Sequence, residues 1–372
     1  MPRVWEVPVR DSTRVRDARV AAEEAAAVAG LDERRTAAAA LVATELATNL
    51  LKYAEGGTIL IDVVDPPVLP EGPATRSVQI AALDHGPGIP DVPAALRDGY
   101  TTTRSLGAGL GTCRRLSDDF AVHSAPGRGT VAVARLSRGP ARGAAGRSPG
   151  PLASPPGPGG TGGTGGWRAA GVRAGGVNVP YASATHSGDA WAWHRDGDRC
   201  TLLLADGLGH GTQAARASTA AVDTLRQWAH LPPGEILGRL HEALTGTRGA
   251  AVAVAQVDTR TERLRFSGIG NVGARLREGD RWRALLSRPG IVGVHRPGRV
   301  REDDLPWTGD SLLILHSDGL PSRWSPAPDA GRPATDPAVT AAVTIRDASS
   351  SALPVRDDTA VAVLAPDPPD RP

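Results

Sequence analysis

Residues 45–54 read ELATNLLKYA, near the end of an Ala-rich stretch without proline, Asp32 to Ala54, in which Val42, Leu46 and Leu50 recur at i, i+4 and i+8. That spacing predicts a helix with one apolar face. It also puts Glu45 and Asn49 one turn apart on one side, where a carboxylate and an amide can meet a single ligand. Taken alone, the pair reads as a solvated face. A preceding helix is expected over Thr13 to Val28, broken at Gly30. β-rich segments follow at Thr58 to Val64, Ser77 to Leu83, Phe120 to Ser124 and Thr130 to Leu136, with a further helix after Gly111. Residues 1–137 therefore predict an α/β sandwich.

Two more pieces surround the helix. LDHGPGIPD, residues 83–91, sets Asp84 at a strand end with Gly86 and Gly88 behind it. Those glycines permit close backbone approach to a flat ligand, although this piece alone reads as an ordinary Gly-Pro turn. TTTRSLGAGLG, residues 101–111, offers Gly107, Gly109, Leu110 and Gly111 ahead of a helix, where backbone N–H groups can cradle phosphates. The usual P-loop, GxxxxGK[ST], does not occur.

The order of an E-x-x-x-N helix, D-x-G-x-G after a strand, G-x-G-L-G and then the G-R-G-T of SAPGRGT (residues 124–130) resembles the Bergerat-type ATP-binding fold of histidine kinases, chaperone and gyrase ATPases and anti-sigma-factor serine kinases. The resemblance implies that Asn49 holds Mg²⁺ between the phosphates, Asp84 bonds the adenine amino group, Gly107 to Gly111 wrap the triphosphate of ATP, and Thr130 supports the adenine end. No phospho-accepting His precedes the Asn helix, and the connection from Gly88 to Gly107 is short. The domain thus looks most like the RsbT and RsbW type of switch kinase, which phosphorylates a Ser or Thr of a small STAS-domain protein. Glu45 then takes the role of general base, with a purely structural carboxylate as the alternative. A dimer through the kinase domain is compatible with this resemblance.

Residues 138–166, RGPARGAAGRSPGPLASPPGPGGTGGTGG, carry almost no apolar side chain larger than Ala and are expected to be a flexible linker. Beyond it, strands are expected at Ala169 to Val179, Asp189 to His194, Thr201 to Leu204, Ala251 to Asp258, Arg263 to Gly268, Ser311 to Leu315 and Thr359 to Leu364. Helices are expected at Gln213 to His230, Pro233 to Leu244 and Asp336 to Ala348. Clustered strands and helices predict an α+β domain of packed sheets covered by helices over residues 167–366, with a tail at 367–372.

Four Asp-centred motifs punctuate that half: SGDAW with Asp189, ADGLGHG with Asp206 and Gly207, HSDGL with Asp318, and RDDTAV with Asp357 and Asp358. Each alone is a common hairpin turn. Asp206 and Asp318 both follow apolar β runs, so the carboxylates converge if the strands are neighbours, and hard oxygen donors with few His or Cys suit Mg²⁺ or Mn²⁺. The four in this order, with SGIGNVGARL and SRPGIVG, resemble the metal-dependent (PPM) protein phosphatases of the SpoIIE-like and RsbX-like branch. By that resemblance Asp206 bridges two metals, Gly207 lends its carbonyl, Asp189 supports the first metal, and Asp318 and Asp357 hold the second. Leu208 stands where other members carry a His, so no leaving-group acid is assigned, and Asp358 has an outer supporting role.

Composition sets the boundaries of this reading. Forty-two basic against forty acidic side chains give a net charge of +2, a field too weak to favour nucleic acid or an anionic membrane. Lys52 is the only lysine. Cys113 and Cys200 lie far apart with no CxxC, so neither a disulfide framework nor a zinc site is encoded, and a reducing cytoplasm is expected. No apolar run reaches the ~18 residues of a membrane span, and the start lacks the apolar core of a signal peptide. The sequence thus predicts a cytoplasmic ATP-dependent Ser/Thr kinase joined to an Mn²⁺/Mg²⁺ phosphatase, with STAS-domain proteins, a sigma factor or its regulator as partners.

Overall fold

Asp11 and Asp32, both in extended backbone, accept from the amides of Thr13 and Arg35 and so open α1 (Ser12–Ala29) and α2 (Glu33–Tyr53). Gly30, left-handed at φ 69°, closes α1. The computed structural model describes residues 3–64, 76–97, 109–138, 168–169, 171–295, 300–326, 335–349 and 355–367. Beyond Arg138, the stretch read as a linker lies outside the described residues, as does the tail after Asp367.

The first sheet is antiparallel throughout, with β1 (Val4–Val9), β2 (Gly57–Val64), β3 (Ser77–Leu83), β5 (Gly129–Ser137) and β4 (Asp119–Ala125) in that spatial order. The two-residue period of the strands sorts their side chains. Ile59, Ile61, Val78 and Ile80 meet the alanines of α1 and the Val42, Leu46, Leu50 row of α2, while Leu60, Ala81, Leu83, Val131 and Val133 face the other way. Short helices α3 (Val92–Ala95) and α4 (Leu110–Leu116) complete this half.

The second half stacks two sheets. One has the order β14 (Asp303–Pro306), β11 (Arg263–Ile269), β10 (Ala250–Asp258), β9 (Arg199–Gly207), β8 (Asp189–Asp196). The other runs β13 (Arg281–Leu286), β12 (Gly273–Glu278), β15 (Leu312–His316), β16 (Thr359–Pro366), β7 (Val172–Val179), β6 (Arg168–Ala169). Leu202, Leu204, Phe266, Leu313, Leu315 and Leu364 fill the space between them. Helices α5 (Thr212–Trp228) and α6 (Pro233–Leu244) cover the outer face of the first of these sheets. The expected elements are present within a few residues; β1, β12, β13 and β14 are additional strands.

Helix α7 (Pro337–Ala348) decides how the halves meet. Every residue from Pro337 to Arg346 is buried, because the helix packs on β7 and β16 with one side and on β3, β4 and β5 with the other. A helix apolar around its circumference belongs inside a core. The layers therefore run α1 and α2, first sheet, α7, the two sheets of the second half, then α5 and α6. Polar groups reinforce this shared layer: Arg135 of β5 pairs with Asp119 and, at 2.9 Å, with Asp336, and the Gln79 amide donates to the Gly176 carbonyl at 2.9 Å.

Candidate active sites

Helix α2 buries Leu46 and Leu50 and leaves Glu45 and Asn49 half-buried beside them. Both line a cavity of 380 Å³ together with Asp84, Gly88, Gly109, Leu110 and Thr130. Gly86 stands behind the cavity with its amide donating to Asp84 Oδ1 at 2.8 Å, Gly111 is buried in α4, and Gly107 lies outside the described residues. The Thr130 amide donates to the same Asp84 oxygen at 3.0 Å. Burial raises the Asp84 pKa, and those two amides oppose the shift. Burial likewise raises Glu45, against the pull of Lys52. Lys52 and Tyr53 also line the cavity; Lys52 continues the i, i+4, i+7 face of Glu45 and Asn49, a periodicity already present in the sequence. Cys113 is buried, and its thiol is pushed up to about 12 by burial and by Glu45, so it offers no nucleophile.

Gly129 locks the end of this pocket formed by Asp84 and Thr130. Its φ is +86°, and a Cβ there would lie 2.0 Å from the carbonyl oxygen of Asp84. Gly129→Ala combines a left-handed backbone with a backbone clash and is expected to cost ~2 kcal/mol or more. It should lower the melting temperature and weaken nucleotide binding together, because Asp84 must shift. An unchanged melting curve would show that these strands separate without cost.

In the second half, β8 and β9 pair so that Asp189 stands opposite Asp206. Asp189 is 1% exposed, and neither of its carboxylate oxygens has a hydrogen-bond partner. Burial and the facing Asp206 push its pKa well up. Asp206 itself is pushed up to about 7 by burial and by Asp318, Asp357 and Asp358. Gly207 is packed so tightly on α5 that a Cβ would lie 2.2 Å from the Ala214 carbonyl oxygen. Asp318, just past β15, is exposed and receives a hydrogen bond from the Asn271 amide. Asp357, just before β16, is also exposed and accepts from the Asp358 amide at 2.8 Å.

Asp358 is buried and accepts from the amides of Tyr181 and Gly188, both at 2.8 Å, so it ties the loop ahead of Asp189 to the start of β16. Asn271 lies inside SGIGN, and nothing in its spacing signalled a contact with Asp318. His316, packed edge-on against Trp324, is pushed down to about 4 by burial and is a neutral packing group. His210 is exposed.

Among the described residues no three His, Cys, Asp or Glu side chains stand close enough to enclose a metal ion as they are. The donors nonetheless suit a hard cation: carboxylate oxygens, two of them buried without a partner, held against mutual repulsion. A divalent ion would relieve that repulsion. In this sense Asp189, Asp206, Asp318 and Asp357 fit the metals that the motifs imply.

Comparison with known proteins follows the same division. The histidine kinase-like ATPase domain family matches residues 9–135, and the Stage II sporulation protein E (SpoIIE) family matches residues 196–364. The serine/threonine-protein kinase RsbT of Bacillus subtilis (strain 168) is 40% identical over 87 residues, 23% of this chain and 61% of RsbT, so the chain spans less than two thirds of that relative. The phosphoserine phosphatase RsbX of the same organism is 25% identical over 135 residues, 36% of this chain and 67% of RsbX. A crystal structure of RsbX in complex with magnesium superposes with a TM-score of 0.45 and 19% identity, covering 54% of this chain and 97% of that one. No helix among the described residues is long and apolar enough to cross a membrane. The chain therefore carries a segment similar to the histidine kinase-like ATPase domain family, with RsbT among its relatives, followed by a segment similar to the SpoIIE family, with RsbX among its relatives.

Proposed function

We propose that the chain is a bifunctional switch, an ATP-dependent protein Ser/Thr kinase and an Mn²⁺/Mg²⁺-dependent protein phosphatase acting on STAS-domain proteins of a sigma-factor or stress-signalling cascade. The observation that carries the reading is the pairing, in one chain, of a cavity lined by Glu45, Asn49 and Asp84 with the facing aspartates Asp189 and Asp206. The first lies in the segment similar to the histidine kinase-like ATPase domain, and Asp206 of the second lies in the segment similar to SpoIIE.

In the kinase half Asn49 would hold Mg²⁺, Asp84 the adenine amino group, and the Gly107 to Gly111 backbone the phosphates of ATP. Glu45, its carboxyl raised by burial, accepts the proton of the substrate hydroxyl as that oxygen attacks the γ-phosphorus. In the phosphatase half Asp206 and the Gly207 carbonyl would hold both metals, Asp189 the first, and Asp318 and Asp357 the second. When bound, such a pair supplies hydroxide at neutral pH and neutralises the phosphoryl oxygens. The protein's own part is positional: Asn271 orients the Asp318 carboxylate, and Asp358 fixes the loop that delivers Asp189. A kinase-domain dimer would use a surface other than the α7-covered sheet face.

Asn49→Ala is expected to abolish nucleotide binding, measured by calorimetry, because the triphosphate loses the amide that holds its counter-ion. Glu45→Ala should keep nucleotide binding and lose transfer of labelled phosphate to a STAS-domain protein. Transfer at the wild-type rate in Glu45→Ala would remove Glu45 from the base role. Binding of ATP with no transfer by the wild type would favour a module that works by sequestering its partner.

A further inference from the structure

Helix α7 is held at both ends by the ATPase domain. At its start Asp336 caps the helix, accepting from Ala338 and Val339 at 2.9 and 3.1 Å, and the same carboxylate is paired with Arg135. At its end His85 Nε2 lies 2.9 Å from the Arg346 carbonyl oxygen and 3.0 Å from that of Ser349. Both partners are acceptors, so Nε2 carries the proton and donates. Arg128 completes the clamp through an ion pair with Asp347.

The two residues gripping the end of α7 are chain neighbours of Asp84 and Thr130, which line the nucleotide pocket. His85 follows Asp84 directly, and Arg128 precedes Thr130 by two positions. The two segments cannot move independently, because Asp84 Oδ1 accepts from Thr130 and Gly129 packs on the Asp84 carbonyl. Across the helix, Ala348, its last residue, lines a cavity of 360 Å³ together with Asp318, Gly319, Val355 and Arg356. Arg356 immediately precedes Asp357. Residues beside the first site thus hold the end of α7, whose last residue shares a cavity with Asp318 and with Arg356, the neighbour of Asp357.

We propose that nucleotide occupancy is transmitted through the end of α7, so that ATP bound in the first domain raises hydrolysis by the second domain of the same chain. The inference rests on the nucleotide-pocket reading above. A ligand shifts an equilibrium only through contacts that differ between its states. Here the differing contacts are those of Asp84 and Thr130, whose backbones carry His85 and Arg128. With the pocket filled, the clamp holds the C-terminal end of α7 and thereby the cavity wall beside Asp318.

The test uses the full chain, p-nitrophenyl phosphate as substrate, free Mn²⁺ held constant, and the non-hydrolysable analogue adenylyl imidodiphosphate, which removes kinase turnover from the readout. Saturating analogue is expected to raise kcat/KM by ~5-fold or more, the usual scale of coupling between sites. The double variant His85→Ala, Arg128→Ala should bind the analogue by calorimetry and keep basal hydrolysis, while losing the stimulation. If that variant fails to fold, Arg128→Ala alone, which leaves Asp347 paired with Arg346, should reduce the stimulation. Binding by the wild type without a rise in hydrolysis overturns the coupling, as does a double variant that responds like the wild type. Absence of any heat of binding in the wild type removes the nucleotide-pocket reading, and the coupling with it.

Discussion

Asp206→Asn is expected to lose ~100-fold or more of the Mn²⁺-dependent hydrolysis of p-nitrophenyl phosphate, since loss even of a residue supporting a ligand costs 10–100-fold. Its effect on the metal-free fold should have the opposite sign. Asp206 is pushed up to about 7 in the fold by burial and by Asp318, Asp357 and Asp358, from an ordinary 3.8. Below pH ~4 both folded and unfolded chains hold the proton, and nothing is lost. As pH rises toward 7 the unfolded chain releases a proton that the fold retains, so stability declines by at most ~4 kcal/mol. The amide removes that dependence. Without metal, Asp206→Asn should therefore melt above the wild type at pH 8 and close to it at pH 4. Hydrolysis unchanged in Asp206→Asn would place the site on other aspartates, and a lower melting temperature at pH 8 would show that Asp206 is a structural group.

Arg135→Ala is expected to produce the largest loss of stability. The Arg135 side chain is 4% exposed and satisfies Asp119, Asp336 and the Gln79 carbonyl at once. Burial leaves Asp119 above the ordinary carboxylate range, whereas Asp336, despite its burial, is held below it by Arg135. Removing the guanidinium strands two buried carboxylates beside each other, at a cost of ~3–5 kcal/mol. The melting temperature should fall by ~10 °C, and Asp119→Asn added to Arg135→Ala should recover part of the loss. Calorimetry checks both. A change within the scatter of surface substitutions would mean that α7 does not join the two halves in solution.

How much of this was legible in the chain follows from the range of the signals. Glu45 and Asn49 were readable because a helix brings i and i+4 together without help from the rest of the fold. Asp84, Asp206 and Asp318 were readable because an apolar β run followed by Asp-Gly or Asp-X-Gly marks a strand end. Strand β1, VWEVPV, went unread because Pro8 interrupts its alternation. The hairpin of β12 and β13 carries arginines and a glutamate at its outward positions, so its apolar period is weak.

The sequence by itself determined the two helices and the strand ends that carry the candidate site residues, each by an interaction spanning a few residues. Only the tertiary structure decided that Asn271 reaches Asp318, that Asp358 is a tie for the loop before Asp189, and that α7 serves two cores at once. Arg135 and Asp336 are 201 positions apart, and His85 and Ser349 are 264 apart. Each of these residues, taken locally, is an ordinary cap, turn or strand residue. Their pairing depends on two sheets closing on one helix, because burial of the apolar faces on both sides of α7 brings these groups out of water, where each must find a partner.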